Sequence, residues 1–218
     1  MTNPTFLSID LEDIYIQLFI EDQYVFDTSI ENLFVPAGKT TSKELMFSIT
    51  EAGQTYLLIN QAMNTYGGEV KVGIGGHAVA HQLLLSLRIP LYVEKHVMAR
   101  EGTLYFVSAE WTALDGETIC TTTVGTEVCV QVIARNPTRK HTISSVIGAE
   151  VRRDVSLWPD ETMSYSSTQM ALPPNTSDTI SFDFAPPRIS RYHFDIFIDG
   201  GKTYTQPNTV PPRLEVTS

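Results

Sequence analysis

The sequence predicts an all-β protein, an antiparallel β-sandwich or two, with one short helix near 77–88. Three observations carry this. Apolar and polar residues alternate with a period of two in run after run. The runs are short and end in Gly, Pro, Asn or Asp. The 218 residues include nine Tyr and ten Phe beside many Val, Ile and Thr, the side chains that suit a pleated, half-buried surface. A hydrophobic fraction of 42% against a charged fraction of 18% is the balance of a chain that folds around a sizeable core.

Taken in order, IYIQLFI sends Ile14, Ile16, Leu18 and Ile20 to one face and Tyr15, Gln17 and Phe19 to the other. Glu21-Asp22-Gln23 forms the turn and YVFD returns. A Pro-Ala-Gly-Lys turn at 36–39 leads to a strand KELMFSI (43–49), and Glu51-Ala52-Gly53 leads to a strand QTYLLIN (54–60). EVKVGI (69–74) alternates again. GGHAVAHQLLLSLRIP then breaks the pattern: between Gly75-Gly76 and Pro90, the apolar residues Ala80, Leu83, Leu84 and Leu87 recur at helical spacing, which predicts a helix from His77 to Arg88.

A meander follows. LYVEKHVMA (91–99) turns at Glu101-Gly102 into TLYFVSAEWTAL (103–114), with Tyr105, Val107, Ala109 and Trp111 on one face. Asp115-Gly116 is a type I′ hairpin signal, and the chain returns through 117–134. HTISSVIGAEVRRDVSLW supplies two further strands, followed by TISFDF (179–184) and RYHFDIFID (191–199). In the last, Tyr192, Phe194, Ile196 and Ile198 share a face while Arg191, His193 and Asp195 alternate outward. Most of the twelve prolines fall after residue 172, where they punctuate loops and edges. MFSITEAGQTYLLIN (46–60) and SFDFAPPRISRYHFDIFI (181–198) share a strand, turn, Tyr, strand order, a faint internal echo.

From about residue 128 onward, this succession of strands, Pro-rich loops and RYHFDIFIDGG resembles an immunoglobulin-like or jelly-roll sandwich edge. That resemblance implies an architecture and no activity. The expected organisation is an N-terminal β-rich region, 1–90, ending in the helix, and a C-terminal β-sandwich region, 91–218, with a Pro-rich tail; a single domain is the other reading.

Fifteen basic and 25 acidic side chains give a net charge of −10, without the clustered Lys and Arg that a nucleic-acid binder needs. Residues 1–38 hold no basic side chain but include Asp10, Glu12, Asp13, Glu21 and Asp22. Without calcium-loop spacing, these read as acids on the wet faces of strands. MTNPTFLSIDLED has no basic or long apolar segment of a secretory signal, and no stretch of about 18 apolar residues occurs. The expectation is a cytoplasmic or virion location, no membrane partner, and an unused Asn175-Thr-Ser sequon. Cys120 and Cys129, in TICTTTVGTEVCV, read as two free thiols on opposite faces of one continuous strand, because a hairpin at Val124-Gly125 would force a β-branched residue to positive φ.

Candidate chemistry is sparse. His77 and His81 share one helical face but lack the glutamate of HExxH, and the nearest third ligand, His96, lies on a strand. They read as two polar residues, not a metal site. His141 and His193 have no GxSxG partner, neither Cys has a His close in sequence, and VGIGGHA lacks the full dinucleotide fingerprint, reading as a turn into the helix. A carboxylate pair formed only in the fold stays open. No catalytic, cofactor or metal residue is therefore assigned.

Residues 77–133, a helix then a meander with EG and DGE turns, resemble the helix-on-sheet of hot-dog thioesterases and dehydratases, but the helix holds no acidic residue to act as base. The expected role is a non-catalytic structural or interaction protein, of which a virus or phage particle subunit (capsid, decoration or tail component) is the specific candidate. Its partners are proteins, including copies of itself, met through the aromatic edges around Tyr15 and Phe19 and through the tail 205–218. The alternatives are a hot-dog enzyme and a monomeric intracellular immunoglobulin-like binding module.

Overall fold

The computed structural model describes residues 8–42, 52–82, 85–156, 159–207 and 213–218. It is mostly β-strand and divides into two compact units, Met1–Arg100 and Glu101–Ser218. The expected boundary at 90/91 falls within a strand, since paired backbone runs on to Met98 before the chain leaves the first unit. The expected strand at 43–49 lies outside the described residues.

In the first unit, β1 (Ile9–Ile20), β2 (Gln23–Ile30), β3 (Leu33–Val35), β4 (Glu69–Gln82) and β5 (Leu85–Met98) form one antiparallel sheet of order β2-β1-β4-β5, with β3 beside β1. The β1–β2 connection is a two-residue turn with Glu21 and Asp22 both at positive φ, the type I′ conformation that matches strand twist. Asp and Glu pay strain there, and Lys71 on β4 offsets it. Its N–H donates to Glu21 Oε1 (2.8 Å) and its ammonium lies 2.8 Å from Asp22 and 3.0 Å from Glu94.

The only helix among the described residues is α1 (Ala52–Thr65). It takes the segment expected as the strand QTYLLIN, and the internal echo disappears with it. Tyr, Leu and Ile favoured a strand locally, but Thr55, Leu58, Ile59, Ala62 and Met63 recur at helical spacing. Thr55 and Ala62 are buried, while Leu58, Ile59, Ala62 and Met63 pack with Ile20, Val70 and Val97. The glycine pair after the helix stops it: Gly67 adopts φ +59° and the Gly68 N–H donates to Met63 O at 2.7 Å, a Schellman cap.

The helix expected over 77–88 is absent: 77–82 belong to β4 and 85–88 to β5, paired from Gln82↔Leu85 to Glu69↔Met98. Of the apolar residues that mimicked a helical stripe, Ala80 lies on β4 opposite Leu87 on β5, and Ala78 and Ala80 are buried with Leu11 and Val35; Leu83 and Leu84 lie outside the described residues. The helix-then-meander order behind the hot-dog resemblance goes too. Nor is VGIGGHA a turn. Phe19 lies over Gly73 and Gly75, and a Cβ on Gly76 (φ +143°) would strike Tyr15 O at 2.0 Å. These glycines mark a close strand approach beside the register shift at Glu12/Tyr15.

The second unit is a sandwich. Its smaller sheet joins β6 (Tyr105–Thr112), β8 (Val128–Arg135) and β11 (Ser177–Phe184) in the order β11-β8-β6. Its larger sheet runs β10 (Glu161–Leu172), β9 (Ile143–Arg153), β12 (Arg191–Ile198), β14 (Leu214–Thr217), β7 (Thr121–Thr123), with β13 (Gly201–Thr205) also on β12. All pairs are antiparallel except β14–β7. The chain passes between the two sheets after β6, β7, β8, β10 and β11, the repeated crossing of a β-sandwich. The Tyr192 hydroxyl donates to Arg188 O at 3.0 Å in the tyrosine corner of that architecture.

Trp111, Val130 and Phe184 from one sheet meet Ile147, Tyr192, Phe194 and Ile196 from the other. The Trp111 ring centroid is 5.4 Å from Phe194, edge-on, and its indole N–H donates to Gln206 Oε1 at 3.2 Å.

Several local expectations change here. Among the described residues, HTISSVIGAEVRRDVSLW gives one strand, β9, rather than two. Residues 91–114 are not a meander, because β5 and β6 lie in different sheets. At 113–117 the Gly116 N–H returns to Ala113 O with only Gly116 at positive φ, a three-residue loop in place of a type I′ turn. The cysteine segment is not continuous: the chain turns at Val124-Gly125, with Gly125 rather than Val124 taking the positive φ (+78°), and β7 pairs with β14. The β-branched residue never faces the strain that argued against a turn. Cys120 is exposed, Cys129 is buried, and both are free. The tail is not a loose arm either, since Leu214 (0% exposed) and Val216 (2%) complete the core.

Two outcomes are expected. Leu214→Ala costs about 3 kcal/mol and removal of 206–218 unfolds the second unit, both read as loss of the Trp111 fluorescence shift in denaturant melts. In the native protein a thiol reagent labels Cys120 at once and Cys129 only after unfolding. Burial and the Asp183 carboxylate, which accepts from its S–H at 3.2 Å, push the Cys129 thiol up to about 11.

Candidate functional site

Alternation along β12 places Tyr192, Phe194 and Ile196 in the core and turns His193 and Asp195 to the other face, as expected. That face is not wet. His193 is 4% exposed and Asp195 1%. The cover comes from residues far apart in sequence: Arg152 opposite His193 on β9, Asp154 and Asp160 from the connection after β9, Lys202 on β13, and Arg213 just before β14. The Asp154 N–H donates to Arg191 O (2.9 Å) and Val155 N–H to Asp160 Oδ1 (3.3 Å), which pins the connection over β12.

The charges interlock. His193 Nδ1 lies 2.8 Å from Asp154 Oδ1 and Nε2 lies 3.6 Å from Asp160 Oδ2. Arg213 Nη1 donates to the second oxygen of Asp154. Asp195 Oδ2 accepts from Lys202 Nζ at 2.5 Å, with Arg152 Nη1 at 3.7 Å. Burial pushes the His193 imidazolium below its usual range, against the pull of Asp160 and Asp195. A neutral ring donating from Nδ1 to a carboxylate keeps its lone pair on Nε2. Burial also raises Asp195, but hydrogen bonds from Lys202 and Thr205, with the Lys202 charge, more than reverse it and the carboxyl sits below its usual value. An open pocket of about 250 Å³ is lined by Arg152, Asp160, His193, Asp195, Lys202 and Arg213, among others.

Among the described residues, Asp154, Asp160 and His193 are the one His/Cys/Asp/Glu group whose ligand atoms converge, all within 4.8 Å of one another. Two carboxylate oxygens and an imidazole nitrogen suit a divalent cation in kind. Arg213, however, already holds Asp154, and Arg152 and Lys202 stand beside the group against Asp195. As built, the cluster is a charge-balanced latch. It closes two long connections over β12, with Arg152 Nε, Arg213 Nε and Asp195 Oδ1 buried without a hydrogen-bond partner among the described residues.

The histidines singled out in the sequence do not converge. His77 and His81 sit four residues apart on an extended strand, about 13 Å along the backbone. Arg88 Nη2 lies 3.0 Å from His77 Nδ1. His96 Nδ1 meets the fully buried Glu69 at 2.8 Å. Asp10, Glu12 and Asp13 are not in the converging group, and Glu21 and Asp22 serve Lys71. Asp154, Asp160 and Arg213 went unremarked in the sequence. The available signal was the His-Phe-Asp alternation of a strand flanked elsewhere by Arg152-Arg153-Asp154 and Asp160-Glu161.

The depressed His193 pKa fixes the sign of a pH effect. The unfolded chain takes up this proton first as pH falls, so the contribution is complete above the ordinary histidine pKa and is lost as pH drops through it toward the lower folded value. Melting temperatures from pH 8 to 5 are expected to fall less for His193→Gln than for the parent chain; parallel curves would refute the assignment. Arg213→Met strands Asp154 beside a buried ring and is expected to cost about 2 kcal/mol, scaled down from a fully buried pair for the partial exposure of both groups. Pairing it with Asp154→Asn recovers most of that loss in denaturant melts.

No known protein family matches the chain, and neither does any curated protein. Among solved structures the chain is similar to red sea bream transglutaminase, at 15% sequence identity and a TM-score of 0.28. The match covers 100% of this chain and 30% of the length of that one. The function is therefore argued from this chain's own residues.

Proposed function

We propose that this chain is a non-catalytic structural or interaction protein that works by offering sheet surface to other protein chains, a role that includes that of a particle subunit. The observation that carries the reading is β5. It is a 14-residue strand at the end of its sheet, paired on one side only among the described residues. Leu87 is 64% exposed, Tyr92 68% and Val93 61%. Long apolar edges are usually shortened, bulged or covered, because their open N–H and C=O groups template pairing with another chain. An added strand would draw affinity from main-chain hydrogen bonds and selectivity from the side-chain row it meets. The aromatic edge around Tyr15 and Phe19 supports this less well: Phe19 is spent on the β4 glycines, and the Tyr15 hydroxyl donates to Asp27.

The test uses the full chain in an extract of its native source. The parent protein is expected to fractionate well above its own mass, whereas Leu87→Lys/Val93→Lys, with unchanged circular dichroism and melting temperature, runs at its own mass. A parent chain running at its own mass, or a complex that survives both lysines, would overturn the proposal.

A further inference from the structure

Resting on that reading, we infer that the partner of β5 is β5 of a second copy, paired antiparallel about a two-fold axis at Leu91. The Ala99 N–H donates to Gly68 O at 2.9 Å, in line with the unbroken register Met98↔Glu69 to Leu85↔Gln82. In an antiparallel ladder bonded pairs alternate, so odd-numbered residues of β5 bond to β4. The even-numbered residues Arg88, Tyr92 and Glu94 therefore aim N–H and C=O at the open edge. Pro90 falls in the same set and offers only its carbonyl, the place where an edge strand tolerates proline.

The odd residues Ile89 and Leu91 pack on the cluster of Leu11, Val35, Ala78 and Ala80. Leu87 and Val93 share that face but stand open, because nothing among the described residues lies beyond β5. Two copies keep their faces matched only if even pairs with even. With the axis at Leu91, the Leu91 side chains meet each other and Ile89 meets Val93 of the second copy. Leu87 lies beneath the aliphatic stem of Lys95. Arg88 stands directly opposite Glu94, twice by symmetry, which is the favourable cross-strand charge pair. Each Arg88–Glu94 pair exchanges two main-chain hydrogen bonds, and each Pro90–Tyr92 pair makes one.

Neighbouring registers do worse. An axis at Pro90 sets two prolines face to face without an N–H at the centre and puts Arg88 against Tyr92. An axis at Tyr92 buries Lys95 against Ile89 and turns Arg88 toward His96. The chain is acidic overall, which opposes association at large, but this strand carries its own opposite charges in self-complementary order.

Sedimentation equilibrium of the purified full chain reads the outcome. The parent is expected to show a reversible monomer–dimer equilibrium. R88E alone and E94R alone each weaken it at least tenfold, while an equimolar mixture of the two restores a heterodimer, because both cross-strand pairs then join opposite charges. As a second probe that leaves both charges in place, Leu91→Cys in a Cys120→Ser background is expected to form a disulfide-linked dimer on mild oxidation. A parent chain that is monomeric at every concentration, or a mixture no tighter than its components, would overturn the second-copy assignment. If a complex dependent on Leu87 and Val93 is still found in the extract, the interaction reading survives that failure and the partner is a different protein.

Discussion

Burial of Trp111 against β12 is the contact on which the second unit turns. The indole is 0% exposed, stands edge-on to Phe194, neighbours Phe184 and reaches Gln206 through its N–H. Both sheets and the start of the C-terminal segment thus meet at one side chain. Truncating such a ring costs about 3–5 kcal/mol, a large share of the stability of an ordinary domain. Because β12 must present Tyr192, Phe194 and Ile196 to this core, its other row is fixed with no freedom left, and His193 and Asp195 have to be accommodated where they fall.

The accommodation is electrostatic. A buried carboxylate is tolerable only when paired and hydrogen-bonded, and Lys202 and Arg152 do this for Asp195 while Asp154 and Asp160 bracket His193. The order of construction follows from that. The core sets the strand, the strand sets the charged row, and the charged row fastens the connections after β9 and before β14. The same interlock explains why a group with metal-ligand spacing reads as a latch: Arg213 already holds the Asp154 carboxylate, and His193 and the Val155 N–H take up Asp160.

The first unit solves a different problem. Among the described residues it is a single sheet with one short helix, and α1 covers the part around Ile20, Val70 and Val97. Glycines at 73, 75 and 76 let Phe19 and Tyr15 draw β1 close to β4, and Lys71 ties the β1–β2 turn to the middle of the sheet. Lys71 and Glu69 in turn pair with Glu94 and His96 on β5. Among the described residues, the interior row of β5 runs past those that pack on it, with Leu87 and Val93 exposed.

What the sequence determined by itself was the strand content and the strands whose alternation is strict: the inward row of RYHFDIFID, the pairing faces of IYIQLFI, and an antiparallel sandwich from about residue 128. Period two is a local property, legible wherever one face is buried and the other is not. Tertiary structure decided the rest. QTYLLIN and HAVAHQLLLSLR are short apolar runs that satisfy either period, and which became helix or strand depended on what lay across from them, α1 on Ile20 and Val70, β4 on β1. The wetness of the His193 row, the place of Leu214 and Val216 in the core, and the meeting of Asp154, Asp160 and Arg213 were equally out of reach. Burial and charge pairing depend on segments tens of residues apart, and no local period records which of them will come together.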